Sequence, residues 1–357
     1  SDVCSSDLLM AALLAPIFTP PSAYAQPQPA KPRSSPTWFS RGTDMKPRIQ
    51  WNANDGYCGE TSFISAGMKF GQYTSQWTAR SIASPGVPQH KARAQLLLGV
   101  NDLKAAKGMR LAAKAFDSKH QPSVPQYLAW IKGRFLAGNA VIMGVLNNTF
   151  ILNESGPGQS SYDHIVPVFG IGSAHRLGGD NAKRYFGSDT ITISDNGLHN
   201  IGPNYPFLYT YRNSDFPLTR AQANRPGGPV YSLRDRPKNY ATAVTGVLDP
   251  TRVTVPVRLT SNANGEGLQN EPILKRYPTP TPITLTAHVS LPNASVAYRV
   301  YLYSSFSDVP TRDFNAHADR AMQSWTIPAG TGPHWRVTIN AMSDQTRVFR
   351  AVPVSAP

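Results

Sequence analysis

Helical periodicity is confined to one part of this chain, and that limits the fold more than any other feature. Apolar residues recur at helical spacing only between Cys58 and Ala137. Phe63, Ile64, Met68 and Phe70 give a helix opening at Cys58 a broad apolar face, and Ser75–Ala83 reads as a second, shorter helix. A third is expected over Ala92–Ala106 from Leu96, Leu97, Val100 and Leu103. A fourth, Pro125–Ala137, sets Tyr127, Leu128, Ile131, Phe135 and Leu136 on one side and stops at Gly138-Asn139. Arg110–Phe116 fits a strand or a short helix.

From Ala140 onward the pattern is extended. Ala140–Leu146 is a continuous apolar run, followed by strand patterns at Tyr162–Ile171 and Thr190–Asp195. Helices first and sheet afterwards predict an α+β domain over residues 45–245. Its last part, residues 198–245, has no clear period and reads as an extended segment packed on that domain. Beyond Val247, six short runs lie between turn clusters: Arg252–Leu259, Ile283–Leu291, Ala297–Tyr303, Gln323–Ile327, His334–Asn340 and Arg347–Val352. They predict a C-terminal β-sandwich of immunoglobulin or fibronectin kind over residues 246–357, an accessory domain.

The N-terminal residues read as something other than a folded domain. Leu8–Phe18 is apolar but too short to span a membrane as a helix, and Ala23 and Ala25 fit the small-x-small cleavage pattern. Residues 1–25 are therefore expected to be a truncated signal peptide with an artefactual start. Residues 26–44 are expected to be a Pro-rich disordered segment. The resulting localisation is secreted or periplasmic, with no transmembrane segment. Lys and Arg outnumber Asp and Glu by 35 to 21, which favours anionic cell-surface material as a partner. The basic residues are scattered, and no zinc-finger or RNA-binding motif accompanies them, so no specific nucleic-acid partner is expected. No Cys-x-x-Cys and no ligand spacing among the histidines argue for a metal or other cofactor.

Of two cysteines, Cys4 falls in the signal peptide, so the exported chain would keep Cys58 alone. It cannot form an internal disulfide and must be buried or used. On the first turn of a helix, unpaired N–H groups and the positive dipole end would stabilise its thiolate. The bland alternative is a structural core thiol. His164 begins a strand just after Asp163, and the next strand ends in Asp195-Asn196. Together they could supply a nucleophile, a base to take its proton, and a third group to orient the ring. Gln50, upstream of Cys58, could donate to a developing oxyanion. Asp195-Asn196-Gly197 also reads as a plain turn, and Asn196 rivals Asp195 as the third group.

The order Gln50, Cys58-Gly59, His164-Ile-Val-Pro-Val168, Asp195 resembles the papain-like cysteine peptidase superfamily. The nearest likeness is to bacteriocin-processing (double-glycine leader) peptidase domains and their secreted relatives. It covers roughly residues 45–200 and leaves the C-terminal third outside it. The resemblance implies a papain-like domain that cleaves amide bonds in a peptide or protein substrate through a thioester on Cys58. His164 would be the base, Asp195 its orienting partner and Gln50 the oxyanion donor. Glu60-Thr61 departs from the family pattern, which commonly has Pro or Ala and then Ser after Cys-Gly. So does Asn196-Gly197, where Pro is usual after the Asp. An acyltransferase of transglutaminase or peptidyltransferase type would use the same chemistry. A non-catalytic binding protein on a peptidase scaffold is the remaining class.

Overall fold

A helix laid on a surface buries one stripe, but the helix that opens at Cys58 (α1, Cys58–Lys69) buries every residue from Gly59 to Met68. Small residues make this enclosure possible. At Gly59 an added Cβ would lie 2.0 Å from the Leu96 carbonyl oxygen, so no side chain fits between the first turn and that backbone. The computed structural model describes residues 37–51, 53–54, 56–121, 123–147, 164–196, 208–216, 231–232, 239–265 and 279–355. The expected signal peptide, Asp163, Gly197 and most of 198–245 lie outside them. Among the described residues no helix is long and apolar enough to cross a membrane.

The architecture is mixed α+β with antiparallel sheets and few helices. The larger sheet holds β3 (Leu111–Ala115), β4 (Ala140–Asn147), β5 (His164–Ser173), β6 (Thr190–Ser194), β7 (Leu208–Arg212) and β9 (Ala241–Val247), in the order β3-β9-β4-β5-β6-β7. Two more strands join it: β1 (Phe39–Gly42) on β5 and β8 (Tyr231–Ser232) on β4. Both faces are covered, which explains the unbroken apolar run of β4. Ile142 and Ile165 face α1, while Val141, Met143, Val166 and Val168 face α4 (Val124–Leu136). Ser123 caps α4 through a reciprocal pair of contacts with Gln126.

Two smaller sheets follow. One runs β10 (Val257–Ser261), β11 (Pro282–Ser290), β14 (His334–Met342). The other runs β13 (Gln323–Ile327), β12 (Tyr298–Tyr303), β15 (Arg347–Pro353), β2 (Gln72–Tyr73). Each of the six runs expected beyond Val247 contains a strand, the first only from Val257 onward, and their inner faces share one apolar core.

Several expectations change. The disordered segment expected over residues 26–44 is corrected at its end, where Phe39–Gly42 pairs with Gly170–Ser173. β5 runs on past its pairing with β4, which ends at Pro167, and β1 takes up the main-chain groups left over. The helix expected over Ala92–Ala106 reduces to α3 (Asp102–Gly108), because Gly99 turns the chain at a φ of +73°. Val100 and Leu103, counted as its apolar face, are exposed. β9 begins inside the patternless segment and takes its place in the sheet between β3 and β4.

The boundary drawn between residues 245 and 246 falls within β9, and residues on its two sides share cores. Phe63 and Ala66 of α1 pack in one cluster with Tyr301, Tyr303, Phe306 and Val348. Ile64 and Met68 pack with Leu259, Leu285, Val300 and Phe349. β2, from the helical part, is hydrogen-bonded to β15. Burial of a large apolar side chain contributes about 1.5–3 kcal/mol, and a domain's whole stability is about 5–15 kcal/mol. A chain ending at Leu248 should therefore show no cooperative urea transition. A sharp transition from that truncated chain would mean that the helical part folds alone.

Candidate functional site

The start of α1 is positioned by side chains from outside it. Tyr57, its N-cap residue, makes no side-chain cap; instead its N–H donates to Gln50 Oε1 at 2.9 Å. Gln50 is tied in turn to the end of β6, its N–H donating to the Asn196 carbonyl at 2.8 Å. Asn196 turns the chain at a φ of +59° and joins α1 to β5. Its Nδ2 donates to the carbonyls of Cys58 (3.2 Å) and Ile165 (2.9 Å). Ser62 Oγ donates to the same two carbonyls, at 2.8 and 3.3 Å.

Gln50, Cys58, His164, Asp195 and Asn196, spread over some 150 residues of sequence, thus meet where α1 begins, β5 begins and β6 ends. The Cys58 sulfur faces the Ile165 N–H, one residue from His164. His164 is buried, and its Nε2 lies 2.8 Å from the Asp195 carbonyl oxygen. A carbonyl only accepts, so Nε2 carries the hydrogen, and the lone pair of the neutral ring sits on Nδ1. Asp195 was expected to orient the ring through its carboxylate; the contact seen runs through its main chain. Its carboxylate is buried and helps to raise the Tyr209 and Tyr211 hydroxyls, second to burial itself at Tyr209. Asn196, the rival, uses its amide to link α1 and β5. Gln50 is 6% exposed, and among the described residues its Nε2 has no hydrogen-bond partner.

Sequence reasoning missed the clamp behind Cys58. Arg80, on α2 (Gln76–Ala83), forms a fully buried ion pair with Glu60, Nε to Oε1 at 2.7 Å. Its other donors reach the carbonyls of Asn54 (2.8 Å), Gln89 (3.0 Å) and Gly56. The guanidinium also sits 3.7 Å from the Tyr57 ring centroid. Glu60 Oε1 accepts from the Leu96 N–H at 3.0 Å as well. Arg80 thus holds the turn that delivers Cys58. The available signal was Glu60 itself, since a carboxylate inside an enclosed helix needs a cationic partner.

Cys58 is half-buried, and its surroundings favour the protonated thiol. Burial, and then the Glu60 charge, push it up to about 12, against the N–H groups of Ile165 and Gly59 and the Arg80 charge. The helix N-terminus was expected to lower it; desolvation of the thiolate outweighs that pull. Only the thiolate reacts with iodoacetamide, so labelling of native protein should rise about tenfold per pH unit through the alkaline range. At pH 7 it should run at least ~100-fold slower than in urea-unfolded chain, where the thiol titrates near 8.5. A labelling rate already level below pH 6 would show a preformed ion pair instead.

Compared with protein-family models, with curated proteins and with solved structures, the chain matches none. Among the described residues no group of three or more His, Cys, Asp or Glu side chains could hold a metal ion.

Proposed function

We propose that the protein is a secreted or periplasmic papain-like thiol hydrolase acting on amide bonds of peptides or proteins. The observation that carries this is the Gln50 amide. Its oxygen is used by the Tyr57 N–H, and its buried Nε2, beside the Cys58 turn, is left with hydrogen to give. An oxyanion formed by attack of the Cys58 sulfur would satisfy it.

The steps follow from the chemistry of the groups. His164 takes the Cys58 proton on Nδ1 as the sulfur adds to the substrate carbonyl. The tetrahedral oxyanion accepts from Gln50 Nε2. Collapse expels the amine, which receives the proton from His164, and leaves a thioester. Water, deprotonated by His164, then hydrolyses the thioester and regenerates the thiol. Because the resting thiol is protonated, proton transfer accompanies attack, in the manner of a serine-type pair. The Asp195 carbonyl keeps the ring in the tautomer this requires.

A peptidyl chloromethyl ketone panel tests this reading. A stoichiometric adduct on Cys58 of native protein, abolished in His164→Ala, is expected. Failure of every member to label native Cys58 between pH 5 and 9, while the unfolded chain is labelled, would remove it. A non-catalytic binding role is the second reading, favoured by the burial and the Glu60 charge that hold the thiol protonated.

A further inference from the structure

α1 begins at Cys58 and ends at Lys69, about 17 Å away along its axis at 1.5 Å per residue. Lys69 and Phe70 there form one wall of a cavity of about 880 Å³. The segment after β9 and the β10, β11, β14 and β15 strands form the others. That volume is in the range of small-ligand sites.

The cavity's charge is one-sided. Lys69, Arg252, Arg258, Arg336 and Arg350 line it, against two carboxylates, Asp44 and Asp249. Both carboxylates are already engaged. Asp44 pairs with Lys69. Asp249 Oδ1 accepts from the Thr251 hydroxyl (2.6 Å) and the Thr251 and Arg252 N–H groups, both at 3.1 Å. Its Oδ2 accepts from the Thr254 N–H (2.9 Å) and hydroxyl (2.8 Å). Burial alone would raise this carboxyl; the Thr251 and Thr254 hydrogen bonds hold it below its ordinary value. Arg350 is buried, and desolvation pulls its guanidinium down to about 9, which leaves it charged at neutral pH.

Arg258, His288 and Arg336 stand opposite one another on adjacent strands, in one row across β10, β11 and β14. Among the described residues neither arginine of the row forms an ion pair, and nor does Arg252. Burial, then Arg258 and Arg336, lower the His288 imidazole, so both guanidinium groups act on that one spot. Its Nε2 is 3.0 Å from the Thr260 hydroxyl. Like charges set side by side on a sheet cost stability unless something of opposite charge joins them. Strands lie about 4.8 Å apart, so the two arginines are rooted about 10 Å apart.

We propose that this cavity binds a small ligand carrying at least two oxyanion groups, phosphate or carboxylate, bridged between Arg258 and Arg336 across His288. Guanidinium forks suit either group. Val255 and Trp335, both half-buried, also line the cavity. The site is separate from the thiol chemistry, and Cys58→Ala should leave its affinity unchanged.

Calorimetric titration of the full chain at about 50 mM salt, where exposed charges are only partly screened, tests it with tripolyphosphate and trigalacturonate as probes. One or both should bind at a single site, and which one binds identifies the oxyanion. Arg258→Ser/Arg336→Ser should weaken binding at least tenfold. Arg336→Ser alone, at an exposed position, should fall between that variant and the wild type. Lys114→Ser/Lys119→Ser removes the same charge from exposed positions outside the cavity and should change affinity less than twofold. Absence of binding of both probes to the wild-type chain overturns the proposal. Equal weakening by the two double variants also overturns it, since net charge alone would then account for binding.

Discussion

If the chain hydrolyses peptide amides as proposed, Gln50→Ala should lower kcat by about 100- to 1000-fold and leave KM nearly unchanged, the usual cost of removing one oxyanion donor. A structural role for Gln50 would also be lost in that variant, so the informative substitution is Gln50→Glu. A glutamate keeps the oxygen that accepts the Tyr57 N–H. It loses the Nε2 donor and sets a negative charge where negative charge develops. If Gln50 serves the oxyanion, Gln50→Glu is at least as inactive as Gln50→Ala while it still unfolds in one cooperative transition. Gln50→Glu keeping more than about a third of wild-type kcat would assign Gln50 a purely structural part. The nucleophile and base would then stand without their proposed hole.

Arg80→Ala should destabilise the protein by about 3–5 kcal/mol in urea unfolding, the range for breaking one partner out of a buried pair. Glu60 is left charged and buried, and the carbonyls of Asn54, Gly56 and Gln89 lose a donor. Replacing both partners with apolar residues often recovers stability at buried ion pairs, but here it should not. The Leu96 N–H would lose its acceptor, and those three carbonyls would remain without their donor. Arg80→Lys should recover less than half of the loss, because an ammonium cannot serve one carboxylate and three carbonyls in the directions a planar fork does. A loss below about 1 kcal/mol for Arg80→Ala would show that the turn before Cys58 holds itself.

Two local properties of the chain were legible without a structure: period and punctuation. The start of α1 at Cys58, the α4 stripe of Tyr127, Leu128, Ile131 and Phe135, and the six strands after Val247 each depend on about ten contiguous residues. Cys58, His164 and Asp195-Asn196 could be singled out because each stands at the edge of such an element, and Gln50 only by lying upstream of Cys58. Their meeting point follows from where the elements end.

What only the tertiary structure decided depends on residues far apart in the chain. Arg80 answers Glu60 from another helix, and nothing local to either names the other. β9 lacks a clear pattern because both its faces are covered, yet it sits between β3 and β4. α1 packs against strands more than 200 residues away, so the helical part and the C-terminal sheets share their cores. His164 Nε2 meets the main-chain carbonyl of position 195, which any residue there would present. The Cys58 thiol is raised although it opens a helix: the dipole is a property of the helix, but desolvation and the Glu60 charge belong to the packed site around it.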